Sequence, residues 1–188
     1  DSHESSILEV RSAIYSPQGK LLQTIKQKQK LKSGETYIFE NTSGAIESPD
    51  LWSPETPSLY LVKTTLVDPK SGKLLDEKNH KVGFRWFTFD GSKGFFLNGK
   101  SYKLRGLNRH QDQAPAGVAL DDEAHRRDIF LMKELGCNFI RISHFPQDDA
   151  ILEMCDELDY WHGRKFLSLI LYRIHLDMMI IVNIICVR

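Results

Sequence analysis

Two short stretches hold the residues that could do chemistry. They are Gly106-Leu107-Asn108-Arg109-His110 and Arg141-Ile142-Ser143-His144-Phe145-Pro146. In each, imidazole and guanidinium groups stand where a strand ends and a loop begins. Such groups donate hydrogen bonds to hydroxyl oxygens and set a positive field for a carboxylate. The bland reading of each His is a side chain bonded to a backbone carbonyl. A rival reading takes His110, Asp112 and His144 as metal ligands, but their spacing matches no compact zinc motif. Asp121, Asp122 and Glu123 fall at a helix start, where carboxylates cap the backbone and meet the dipole. Glu153, Asp156 and Glu157 form the solvated face of an amphipathic helix. The strand ends offer no activated Ser or Cys nucleophile.

These groups need elements to hold them. Phe95 to Tyr102 reads as a hairpin around an Asn98-Gly99 turn. Tyr102 to Leu107 reads as a strand. Asp121 to Leu135 reads as a helix, capped by Asp121 or Asp122, ended by Gly136, with Ile129, Met132 and Leu135 on one face. Cys137 to Ile142 reads as a second strand. Asp148 to Leu158 reads as a second helix, with Ile151, Met154, Cys155 and Leu158 at i, i+3, i+4 and i+7. Strand, helix, strand, helix opens an α/β domain with a parallel sheet, whose functional residues gather at the C-terminal strand ends. Before Gly83 the pattern is β. Leu8, Val10 and Ile14 oppose Glu9 and Arg11, Ser16-Pro17-Gln18-Gly19 turns, and Tyr60, Val62, Thr64 and Leu66 alternate with their neighbours. Short strands with turn signals at this spacing suggest a sandwich.

The chain has 188 residues, 25 basic and 25 acidic. This balance points to neither nucleic acid nor an anionic membrane. The three cysteines Cys137, Cys155 and Cys186 have no metal-type spacing, and the first two read as small core residues. The N-terminus, Asp-Ser-His-Glu, has no signal-peptide pattern and reads as a start in mid-protein.

From Asp159 the text changes character. Phe166 to Val187 is apolar and long enough for a membrane span. However, Arg173, His175 and Asp177 interrupt it, at a cost of about 2.5–3.5 kcal/mol for each Arg or Asp. The genetic code offers another account. Read from the third base of each codon, Asp159-Tyr160-Trp161-His162-Gly163 forces Leu-Leu-Ala, then Trp or Arg. The codons that follow permit Glu-Glu-Ile-Pro. Asp177-Met178-Met179-Ile180 forces two Asp after a Tyr or His. We read residues 159–188 as out of frame after the loss of one base near Leu158, with a third barrel strand hidden in the other frame.

Several stretches occur in a family's order. They are Leu51-Trp52-Ser53-Pro54-Glu55-Thr56-Pro57-Ser58-Leu59-Tyr60, then Gly83-Phe84-Arg85, then Phe96-Leu97-Asn98-Gly99-Lys100 running into Arg105-Gly106-Leu107-Asn108-Arg109-His110. Arg141 to Pro146 and Cys155-Asp156-Glu157-Leu158 follow. Together they resemble glycoside hydrolase family 2. Asn108-Arg109-His110 is more like the β-galactosidases than the β-glucuronidases, which favour Asn-Lys-His; Phe145 stands where Tyr is usual. The resemblance implies an N-terminal jelly roll, an immunoglobulin-like sandwich and a catalytic (β/α)8 TIM barrel. It implies a retaining mechanism with two Glu about 5 Å apart. Those Glu follow the fourth and seventh barrel strands, positions this chain does not contain. What carries over is His110, Arg141 and His144 lining the sugar subsite, with Asn108 and Arg109 contacting it or shaping the loop. The family's Mg²⁺ or Na⁺ ligands also fall outside these residues.

The expected fold is therefore an immunoglobulin-like β-sandwich over 1–85, the start of a TIM barrel over 86–158, and an out-of-frame tail over 159–188. The expected function is that of a retaining exo-β-glycosidase acting on terminal β-galactosides, with this stretch alone inactive. The expected partner is a carbohydrate, not nucleic acid or membrane, and the parent enzyme can be a homo-oligomer. The alternative is a non-catalytic carbohydrate-binding or scaffold sandwich module, which has no need of polar strand ends.

Overall fold

The computed structural model describes residues 5–143, 148–157, 161–164 and 181–186. They fall into two units, one of Asp1–Asp50, Leu59–Val82 and Ile174–Arg188, the other of Leu51–Ser58 and Gly83–Arg173.

In the first unit, β1 (Ser6–Tyr15) lies between β2 (Leu21–Leu31) and β4 (Tyr60–Val67), and β5 (Leu74–Val82) closes the sheet in the order β2-β1-β4-β5. All neighbours are antiparallel. The β1–β2 turn is made where Gly19 takes φ +80° and donates to Ser16 O at 2.9 Å. Alternation sorts β1 as the sequence suggests, with Val10, Ser12 and Ile14 fully buried. Tyr60, Val62 and Thr64 of β4 share that face. β3 (Tyr37–Thr42) packs on it, Phe39 against Val10 with Leu8, Tyr37 and Leu66 around them. Two β layers meeting on alternate residues make this a sandwich-like domain. The backbone of β12 (Ile181–Cys186) pairs antiparallel with β3.

In the second unit, β6 (Phe87–Asp90), β7 (Gly94–Leu97) and β8 (Lys100–Ser101) form an antiparallel meander. Asn98 and Gly99 both have positive φ, +51° and +77°, as a two-residue I′ turn requires. Then β9 (Gly106–Arg109), α1 (Asp122–Glu134), β10 (Phe139–Ile142) and α2 (Asp149–Glu157) alternate. β10 pairs parallel with β9 on one side and with the backbone of β11 (Trp161–Arg164) on the other. Parallel strands in sequential order, joined by helices, are the repeating unit of a barrel. Asp121 caps α1 by accepting from Ala124 N at 2.8 Å, and Gly136 takes φ +76° past its end. Ile140 and Ile142 pack against Ile129 of α1 and Ile151, Met154 and Cys155 of α2. Burial pushes the Cys155 thiol up to about 12, so it behaves as a small core residue. Leu135, expected on the buried face of α1, is 74% exposed because it is already the C-cap. Leu158 lies outside the described residues.

Leu51–Ser58 stands between β3 and β4 in the sequence but belongs to the second unit. The cause is Trp52, which is fully buried. Its indole Nε1 donates to Asp156 O at 3.0 Å. Arg85 lies 4.4 Å over its ring and donates to Asp156 Oδ1 at 3.2 Å. Gly83 makes room for it, since a Cβ there would sit 2.8 Å from Trp52 Cβ.

Candidate functional site

Regular pairing of β9 begins at Gly106, later than the Tyr102–Leu107 strand that the sequence suggests. Before it, the Asn138 side chain takes the partners a neighbouring strand would take. Its Oδ1 accepts from Arg105 N at 2.7 Å and its Nδ2 donates to Lys103 O at 3.0 Å. Tyr102 is held aside by Glu55 and Asn138, its hydroxyl donating to Glu55 Oε1 at 2.9 Å. Gly106 itself is required by close approach, because a Cβ would meet Phe139 O at 2.3 Å.

The register then sorts the strand-end residues. Gly106 pairs with Phe139, Leu107 with Ile140, Asn108 with Arg141 and Arg109 with Ile142. Side chains alternate across a sheet. Ile140 and Ile142 face the helices, so Asn108 and Arg141 share the opposite face, which in a barrel points to the axis. They touch there, with Arg141 Nη1 donating to Asn108 Oδ1 at 3.2 Å and to Ser143 Oγ at 2.7 Å. Ser143 is fully buried, so its hydroxyl fixes the guanidinium from below.

Arg109 goes the other way. It is 3% exposed and faces α1. Its Nε and Nη2 donate to Asp128 Oδ2 at 3.0 and 2.8 Å, and Nη2 lies 2.9 Å from His125 Nδ1. A guanidinium has no acceptor, so Nδ1 must accept. Of the two roles left open for Arg109, contact with the sugar or shaping of the loop, this geometry fits the second: the side chain is a buried strand-to-helix tie. His110, one residue beyond the strand, is exposed. His144 lies outside the described residues, and with it the rival His110, Asp112, His144 grouping. Among the described residues, no three His, Cys, Asp or Glu are grouped so as to hold a metal ion.

Sequence reasoning gave Ser143 no role within its stretch and missed His125 and Asp128. A signal existed for the last two. His125, Asp128, Ile129 and Met132 follow the i, i+3, i+4, i+7 stripe of α1, so two polar groups occupy core-facing positions that ask for a buried partner.

What the site can do follows from its donors. Asn108 and Arg141 hold a planar cation and an amide side by side at the C-terminal ends of adjacent parallel strands. That pair can orient and bind an oxygen-rich ligand by several hydrogen bonds.

Comparison with known proteins gives this arrangement its class. Residues 1–85 match the family described as Glycosyl hydrolases family 2, and residues 90–161 match Glycosyl hydrolases family 2, TIM barrel domain. The chain belongs to glycosyl hydrolase family 2. A putative β-glucuronidase of Formosa agariphila is 38% identical over 82% of this chain and 18% of its own length. A β-galactosidase of Thermoanaerobacter pseudethanolicus is 40% identical over 60% of this chain and 15% of its own. Among solved structures, β-glucuronidase 2 of Bacteroides uniformis, covalently bound to cyclophellitol-6-carboxylate aziridine, superposes with a TM-score of 0.83. It is 59% identical over 87% of this chain and 20% of that one. The chain thus spans between 15% and 20% of the length of these relatives.

Proposed function

We propose that this chain is the sandwich-to-barrel portion of a retaining exo-β-glycosidase that removes terminal β-linked sugars. The observation that carries the reading is the Asn108–Arg141 pair at the ends of β9 and β10. The retaining chemistry needs two carboxylates about 5–5.5 Å apart, which the family resemblance puts on later barrel strands. Asn108, Arg141, His110 and His144 then bind sugar hydroxyls, whose hydrogen bonds tighten as the ring gains oxocarbenium character. The sandwich is taken as immunoglobulin-like and the barrel as a closed (β/α)8 in the longer protein. Any Mg²⁺ or Na⁺ there would take its ligands outside the residues described here.

Between sugars, we favour a β-glucuronide over a β-galactoside. The case for galactosides rested on Arg, not Lys, in Asn108-Arg109-His110. Arg109 points into the helix layer, so the choice of cation there does not read the sugar. The Bacteroides uniformis relative, at 59% identity, carries the β-glucuronidase name. A glucuronide also suits an arginine-bearing site, since its carboxylate matches a guanidinium. Full-length enzyme assayed on nitrophenyl β-glucuronide and β-galactoside decides. We expect kcat/KM at least about 10²-fold higher on the glucuronide; the reverse order restores the galactoside reading.

We also propose that 159–188 is out-of-frame sequence. The described backbone places Trp161–Arg164 third in the parallel sheet, where the hidden Leu-Leu-Ala-Trp-Glu-Glu-Ile-Pro would supply a barrel strand. Reading the DNA across codons 155–165 tests this. One restored base is the expected result, and a clean read with no indel sinks it.

A further inference from the structure

We propose that Asp128 and Gln113 are positioning residues for the segment that presents His110; the proposal rests on the glycosidase reading above. Asp128 uses both carboxylate oxygens. Oδ2 accepts twice from Arg109, the last residue of β9, and Oδ1 accepts from Gln113 Nε2 at 2.8 Å. One carboxylate on α1 therefore grips the chain on both sides of His110, at 109 and at 113.

The grip continues outward. Gln113 N donates to Gly117 O at 3.0 Å and Gly117 N to Gln113 O at 2.7 Å, closing a tight turn. Gly117 takes φ +61° to make it. Gln111 lies next to His110 and reaches both ways, its Nε2 donating to Val118 O and its Oε1 accepting from Asp148 N, each at 3.3 Å. Asp148 immediately precedes α2, so the loop after β9 is tied to the start of α2 as well as to α1.

An exposed loop of this length would ordinarily sample many conformations. Ordering it when sugar binds would weaken binding, whereas a loop already fixed through Asp128 presents His110 at little entropic cost. An ion pair that served folding alone would need Arg109 and Asp128 but not Gln113. Gln113 is half-buried, off the strand, and contributes only the tie to the loop.

The test uses the full-length enzyme with Gln113→Ala, His110→Ala and the double variant, and Asp128→Asn for comparison. Hydrogen–deuterium exchange over 110–119 is read beside kcat and KM. Gln113→Ala should speed exchange over 110–119 and raise KM about fivefold, the equivalent of one net hydrogen bond. It should leave kcat nearly unchanged and the melting temperature within about 2 °C. In the His110→Ala background the same change should leave KM unaltered. Asp128→Asn should speed the same exchange and also lower stability, since it weakens the grip on Arg109. Unchanged exchange in Gln113→Ala overturns the tether whatever the kinetics. A fully additive double variant overturns the claim that the tether acts through His110. An inert His110→Ala with faster exchange in Gln113→Ala instead overturns the placing of His110 in the sugar site.

Discussion

In β1 of the sandwich unit, Val10 and Ile14 face inward and are fully buried. Glu9 and Arg11 face the other side, and Glu9 pairs both with Arg11 and with Lys28 on the neighbouring β2. In β9 and β10 of the barrel unit the same two-residue alternation puts Arg109 beside Ile142 on the helix side, and Asn108 beside Arg141 on the other. In the first unit one face is core, where the hydroxyls of Ser12 and Thr64 lie 3.4 Å apart among apolar residues, and the other carries the charged groups, so charge alone tells the faces apart. In the second, both faces carry an arginine, and only register tells which one can meet a ligand. Two arginines at neighbouring strand ends, alike in sequence, thus lie on opposite faces of the sheet.

The sharpest way to break that contrast is to remove each arginine in the full-length enzyme. Arg141→Ala should lower kcat/KM by about 10²-fold, about 3 kcal/mol of transition-state binding, with a melting shift of a few degrees. Its partners among the described residues are the neutral Asn108 and Ser143, so little charge is stranded. His144→Ala is expected to behave alike from its place in the sequence. Arg109→Met should do the reverse. It strands the Asp128 carboxylate, whose side chain is 24% exposed, and should cost about 2–3 kcal/mol of stability. Its kcat/KM, measured well below the transition, should fall less than about tenfold. If Arg109→Met loses activity as Arg141→Ala does and melts normally, the assignment of faces is wrong. Stability by denaturant and kinetics on both variants decide.

Gly106→Ala probes the register that creates the contrast. A Cβ 2.3 Å from Phe139 O and 2.5 Å from Phe139 Cδ1 cannot be absorbed by a side-chain rotation alone. It should push β9 from β10 and cost about 1–3 kcal/mol, with activity falling as Asn108 leaves Arg141. Near-normal stability and kinetics would show that the two strands are less closely apposed at that point.

What was legible in the sequence followed polarity. The alternation in β1 and β4, the Asp121 cap, the Asn98-Gly99 turn and the α2 stripe were all readable because one face differs from the other. β2 was not. Leu21–Leu31 is an edge strand of alternating Gln and Lys over much of its length, and Lys suits an unpaired edge but mimics a loop. β6 (Phe87–Asp90) was missed because all four of its residues are exposed, so no burial pattern marks it. The strand ends were legible as polar clusters. Which arginine faces which way was not, because the onset of β9 is set by Asn138, 33 residues from Arg105.

The smallest effect returns to the sandwich sheet. Glu9 accepts from Arg11 and lies 3.2 Å from Lys28. The hydrogen bond from Arg11 holds its carboxyl below the usual carboxylate range, against the opposing pull of burial. A depressed folded-state value means the stabilisation is present above the unfolded pKa of about 4.3 and is lost as pH falls through the folded value. Glu9→Gln removes that dependence. The stability difference between wild type and variant should therefore be level from about pH 5 to 8 and shrink below about pH 4. It should also shrink in about 1 M salt, since Arg11 and Lys28 are 42% and 62% exposed and such pairs are screened. Urea midpoints of both proteins across pH 3 to 8 measure this. A difference that stays level down to pH 3 would mean that Glu9 gains nothing from its two cations on folding. The charged face of the sandwich would then be a solubility feature and no part of its stability.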